Sequence, residues 1–184
     1  MGWKSTELRY GSLSIGIHWL TALLILGVYV FIELQSWFPK GSDTRALMKT
    51  WHFQLGLTVF FITLVRIAVR VMGPTPRIIP EIPAWQHWLS KAVQLALYAG
   101  MVLLPFAGWM MLSAAGKPVP FFGLELPHLI GENSDLAGQI KETHELIGKV
   151  GMFVIGLHTV AALYHHYFMH DNTLLRMLPE RKDS

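Results

Sequence analysis

The chain has 184 residues, of which 52% are hydrophobic and 15% charged, with a mean hydropathy of +0.39. Soluble domains carry about 25% charged residues, so the composition points away from a soluble globule and toward a membrane protein. The net charge of +3 argues little for a nucleic-acid partner, and the lack of cysteine excludes disulfides, iron–sulfur clusters and thiolate metal sites, while nine histidines is a high count.

The first ten residues do not read as a cleavable signal peptide, because Glu7 interrupts them and no small-residue cleavage site follows the first apolar run. Residues 10–32 contain no Asp, Glu, Lys or Arg, and a bilayer core needs about 20 such residues. They predict a first transmembrane helix over about 10–35, ended by Glu33 and the Trp37-Phe38-Pro39-Lys40-Gly41 belt and breakers. A second uncharged run at 50–65 predicts a helix over about 48–72 if Arg66 and Arg70 snorkel or pair. Four prolines within residues 74–83 then demand a connector and not a helix. A third run predicts a helix over about 88–115, kinked at Pro105. Residues 117–138 form the longest connection, with room for a short interfacial helix. A fourth helix is expected over about 136–169, and a polar tail ends the chain. No repeat interrupts this pattern, so residues 1–184 read as one domain.

Lys and Arg placement orients the bundle. With both termini inside, the inner side holds Lys4, Arg9, Arg66, Arg70, Arg77, Lys91, Arg176, Arg181 and Lys182. The outer side holds Lys40, Arg45, Lys49, Lys117, Lys141 and Lys149.

In that topology four histidines sort by depth. His52 and His144 lie near the outer ends of the second and fourth helices, and His18 and His158 lie toward the inner side of the first and fourth. His144 and His158 are fourteen residues apart, a rise of about 21 Å and nearly four whole turns, so both leave the same helical face. A single intramembrane histidine is as readily a hydrogen-bonded relay as a ligand. Two depth-matched pairs on different helices are the pattern expected when a planar macrocycle sits between helices with one imidazole on each face of its iron. Gly56 and Gly148 follow His52 and His144 by one turn, and Gly11 and Gly151 precede His18 and His158 by two; missing side chains there leave room for a flat ring. Ordinary small-residue helix packing is the competing account of these glycines.

His165 shares the face of His158 and competes with it, but would put the two centres at opposite edges of the roughly 30 Å core. His158 keeps both inside. Zinc or copper fits poorly, since a structural site gathers three or four ligands. Arg66, inside the second helix, is placed to pair with a propionate of the inner site, whereas Arg70 reads as a snorkelling surface residue. Lys40, Arg45 and Lys49 precede His52 and could hold outer propionates or attract a small anion.

Several stretches resemble the bacterial cytochrome b561 family: Ile17-His18-Trp19-Leu20, Trp51-His52 with Gly56, His144-Glu145 with Gly148, Gly156-Leu157-His158, and the tail from His165-His166-Tyr167-Phe168 to Asp171-Asn172-Thr173-Leu174-Leu175-Arg176-Met177. The connector Pro74-Thr75-Pro76-Arg77-Ile78-Ile79-Pro80 is also similar. The resemblance covers essentially the whole chain. It implies a four-helix, all-α bundle of the bacterial inner membrane. It implies two b haems, one on His18 and His158 and one on His52 and His144. It further implies oxidation of superoxide with electrons passed to ubiquinone. A cytochrome b subunit anchoring a separate dehydrogenase or hydrogenase is the alternative. Members of the family carry a basic residue in the connector where this chain has Glu81, which shifts any quinone contact to another residue such as Arg77.

Overall fold

In the computed structural model, residues 2–179 are described; Arg181 and Lys182, counted above with the inner-side charges, lie outside them. Four long helices dominate: α1 (Ser12–Leu34), α2 (Asp43–Val71), α3 (Ala84–Ala114) and α4 (Ser134–Tyr164). Each is long and apolar enough to cross a bilayer. Large apolar side chains such as Leu23, Leu95, Leu103, Phe153 and Val160 point away from the protein, as lipid-facing surfaces do.

The helices start where local chemistry satisfies their first N–H groups. Ser42 Oγ accepts from the Arg45 N–H at 3.3 Å, with Asp43 in the first turn, so α2 begins five residues before the expected position 48. Counting uncharged residues misses that turn because it is polar. Asn133 Oδ1 likewise accepts from Leu136 N–H at 3.0 Å and opens α4. Pro83 precedes α3, whose helical run continues through Pro105. Beyond α3, Gly116 adopts φ +61°, and Lys117 N–H closes back on Leu112 C=O at 3.0 Å. A Cβ at Gly116 would also meet the Glu132 side chain at 2.6 Å.

The expected interfacial helix after α3 is instead a hairpin. Strands β1 (Val119–Phe121) and β2 (Leu124–Leu126) pair antiparallel, with Val119 opposite Leu126. Pro118 and Pro120 withhold the N–H groups a helix needs, and Phe122 at φ +47° with Gly123 at φ +84° makes the tight turn. β1 lies on α2 and α3, where Leu57, Leu112 and Val119 form a small buried core.

The bundle therefore has two unlike ends. The hairpin end is closed by aromatic packing: Trp51 stacks on Phe31 at 5.9 Å and meets Phe122 edge-on at 6.4 Å. At the connector end, residues 73–83, the N-terminal segment and the C-terminal tail are tied by polar bonds. Asn172 exchanges two hydrogen bonds with Ile79, its N–H donating to the carbonyl at 3.0 Å and its Oδ1 accepting from the amide at 2.8 Å. Arg176 Nη1 donates to Pro76 C=O, Arg77 N–H to Glu7 C=O at 2.8 Å, and Trp19 Nε1 to Met177 C=O at 2.8 Å.

Packing is uneven around the bundle. α1 packs closely on α2, α3 on α4, and α2 on α3. Among the described residues α4 barely approaches α1 or α2, which leaves a slot between them.

Candidate metal centres

All four depth-sorted histidines project across that slot. His18 on α1 faces His158 on α4 with ring centres 6.5 Å apart, and His52 on α2 faces His144 on α4 at 6.3 Å. Two imidazoles on opposite faces of one metal ion, each about 2.0–2.1 Å from nitrogen to metal, leave their ring centres roughly 6.3 Å apart. Both separations therefore suit a shared iron, and the slot suits a planar ring. Among the described residues no three His, Asp or Glu side chains gather to hold a metal ion, so the protein brings imidazoles together in twos.

The shells around the two pairs differ. His52 Nδ1 lies 3.0 Å from the Val28 carbonyl, which can only accept, so Nδ1 carries the proton and Nε2 keeps its lone pair for a metal. Val28 is placed for this by its neighbour, since Tyr29 donates its hydroxyl to Gly148 C=O at 2.8 Å and so ties α1 to α4. The buried Nδ1 of His144 has no hydrogen-bond partner of good geometry, with the Leu104 carbonyl nearby. At the other pair, Arg66 Nη2 donates to His18 Nδ1 at 2.7 Å, and the guanidinium lies 5.4 Å from the centre of the Tyr98 ring. Arg66, expected beside a propionate, is thus found on the imidazole of that site; because Nδ1 accepts from it, the proton sits on Nε2, and His18 would offer Nε2 to a metal only once Arg66 releases Nδ1 and the proton moves there. The guanidiniums of Arg70 and Arg176 lie 5.9 and 6.0 Å from the centre of the Tyr10 ring.

The glycines divide. A Cβ at Gly56 or Gly148 would meet nothing within 4 Å, so both border open space. Gly151 does not, because the Tyr29 hydroxyl lies 3.1 Å from where its Cβ would be, and Gly11 is covered by the Trp3–Lys4 backbone. Their smallness serves helix and chain packing. A Cβ at Gly108, which periodicity did not single out, would lie 3.4 Å from His144 Cε1, so α3 passes close to that ring. The unpaired spacing of Gly108 from any histidine in sequence hid it.

His165 is brought to Asp171 and not to His18: its Nδ1 lies 2.5 Å from Asp171 Oδ2, at the start of the π-helical turn His165–Met169. Asp171 also accepts from Thr173 N–H at 2.8 Å. Burial pushes the Asp171 carboxyl up, but the bonds from His165 and Thr173 outweigh it and hold it below its ordinary value. In the basic group before His52, Arg45 Nη1 donates to Phe38 C=O at 2.9 Å and closes the α1–α2 loop, while Lys40 and Lys49 are exposed.

The description "Prokaryotic cytochrome b561" belongs to a family model that matches residues 9–180. The chain belongs to the prokaryotic cytochrome b561 family. It is 37% identical to cytochrome b561 homolog 1 of Escherichia coli (strain K12), over 95% of this chain and 99% of that one. It is also 37% identical to the probable superoxide oxidase CybB of Yersinia pestis, over 95% and 98%. Cytochrome b562 of Cereibacter sphaeroides matches at 28% identity over 95% and 98%. Membership makes the chain a bacterial membrane electron-transfer protein, built as a four-helix haem-binding bundle, and implies b-type haem. The slot, the ring separations and the preset lone pair of His52 all fit that cofactor.

Proposed function

We propose that this cytochrome b561 carries two b haems, one held by His18 and His158 and the other by His52 and His144, and moves electrons from superoxide to ubiquinone. The observation that carries the proposal is the pair of facing imidazoles at 6.5 and 6.3 Å, about 21 Å apart along α4. Bound haem would supply one-electron redox chemistry; the residues supply the rest. Gly56 and Gly148 leave space for the ring, and Val28 fixes the tautomer of His52. Arg66 keeps a positive charge beside the other pair, where a propionate carboxylate needs one.

Two superoxide ions each give up one electron and leave as dioxygen; the two electrons and two protons convert one quinone to its quinol. We place the donor at the hairpin end, where Lys40 and Lys49 attract an anion, and the quinone in the membrane at the connector end. The Lys and Arg balance, nine against six, supports a cytoplasmic connector end with both termini on that side. The probable superoxide oxidase of Yersinia pestis supports this donor, and its alignment spans nearly both chains.

The test is haem quantitation with a reduced-minus-oxidised spectrum on the wild type and on single His→Ala variants at 18, 52, 144, 158 and 165. We expect two haems per chain, one lost in each variant of the four paired residues, and none lost in His165→Ala. Wild-type protein without b-type absorption would refute the haem reading. Stoichiometric superoxide-driven reduction of a soluble ubiquinone tests the reaction itself.

A further inference from the structure

Tyr29 crosses the slot at a level between the two histidine pairs. Its hydroxyl donates to the Gly148 carbonyl at 2.8 Å and lies 3.1 Å from where a Cβ of Gly151 would stand. Gly148 and Gly151 follow His144 on α4 by four and seven residues, about 6 and 10 Å along the axis, and His158 comes about 10 Å after Gly151. The phenol tip therefore sits between the two pairs, and the missing side chain at Gly151 is what admits it.

The residues just before Tyr29 bear on α2. A Cβ at Gly27 would come within 2.9 Å of Leu55 Cδ1, so α1 is pressed against α2 one residue before Val28. The Val28 carbonyl then reaches His52 Nδ1 at 3.0 Å. Three consecutive residues thus fix α1 on both sides: Gly27 against α2, Val28 on the imidazole, and Tyr29 on α4. Hydrogen bonds weaken steeply as their geometry degrades, so the bond on His52 depends on the tie that stops α1 from turning. An imidazole whose Nδ1–H is held by an acceptor is a more basic ligand, and a more basic ligand favours the oxidised metal and lowers its potential. At the other pair the Nδ1 partner is a cation, Arg66.

We infer that Tyr29 is a positioning residue: through Gly148 and Val28 it holds the hydrogen bond on His52 and so keeps the potential of the hairpin-end site low. The inference rests on the haem reading proposed above. A low potential at that site favours passing the electron on to the His18–His158 site, whose neighbouring charge is positive.

Redox titration of the haem-loaded full chain, followed by b-type absorbance, tests it. His18→Ala, which should keep only the hairpin-end haem, assigns the two potentials. Tyr29→Phe keeps the ring and removes the O–H. It should raise the hairpin-end potential by a roughly threefold to tenfold change in the oxidised-to-reduced ratio, about 30–60 mV at about 59 mV per tenfold for one electron, and leave the other potential unmoved. Gly151→Ala crowds the hydroxyl and should shift the same potential in the same direction by less, which keeps the test open if Tyr29→Phe lowers haem content. Gly156→Ala is the control and should move neither. A lower thermal midpoint with both potentials unchanged would make Tyr29 a structural tie only and overturn the inference, as would equal shifts at both sites. A wild type without two haems would overturn the haem reading and this inference with it, whereas unchanged potentials in Tyr29→Phe overturn the inference alone.

Discussion

The hairpin end and the connector end of this bundle hold similar histidine pairs by different means. At the hairpin end the surroundings are apolar and aromatic: Phe31, Trp51, Phe121 and Phe122 cover the end of α2, and His52 rests on a main-chain carbonyl. At the connector end the surroundings are charged: Arg66 donates to His18, and the cap is laced by Asn172, Arg176 and the His165–Asp171 pair. A main-chain carbonyl cannot be lost by a side-chain substitution, so the hairpin-end site is anchored by backbone. The connector end is anchored by side chains from segments far apart in the chain, and is the end that mutation and pH can loosen.

The largest effect should come from removing an imidazole. His52→Ala and His144→Ala should each lose the hairpin-end haem and keep the other, and the double variant should lose no more than either alone; a pyridine haemochrome assay reads this directly. Next is the approach of α3 to His144. Gly108→Leu inserts a side chain where even a Cβ comes within 3.4 Å of the ring, so it should deplete or spectrally perturb the same haem. Gly156→Ala, with nothing within 4 Å, is the matched control and should leave the spectrum unchanged.

The connector end breaks differently. Asp171→Asn removes a buried carboxylate from His165 and should cost about 1–3 kcal/mol, read as a lower thermal midpoint with both haems still bound. Because the folded carboxyl is held below its ordinary 3.8, its contribution is complete above that pH and fades as the pH falls through the lower folded value. Proteolysis of the tail should therefore accelerate in acid below about pH 4 in the wild type, and Asp171→Asn should flatten that rise. Smallest is the effect of the exposed lysines: Lys40→Gln/Lys49→Gln should slow superoxide-driven reduction by about 2–5-fold at low ionic strength and converge with wild type at high salt. Rates that stay parallel across salt would remove those lysines from the entry path.

Much of this was legible before any coordinates. Uncharged runs announced four spans, the second of them only once Arg66 and Arg70 were allowed inside it, and the 3.6-residue period put His144 and His158 on one face of the fourth. Depth alone then paired His18 with His158 and His52 with His144, because a membrane fixes each residue's position along its helix axis. The early start of α2 was missed because its first turn is polar. The hairpin was missed because three prolines and a Phe-Gly turn signal irregular chain before they signal strands.

What the sequence by itself determined is axial: which segments cross, how long they are, and at what height each histidine stands. Those quantities depend on local composition and the fixed rise of a helix. What only the tertiary structure decided is lateral. It set α4 apart from α1 and α2 to open a slot, turned Arg66 onto His18, and sent His165 to Asp171 and not toward His18. It also brought Asn172 to Ile79 and Arg176 to Pro76 across some 90 to 100 residues of chain. Rotation and spacing between helices follow from packing among distant side chains, and no periodicity along a single segment encodes them.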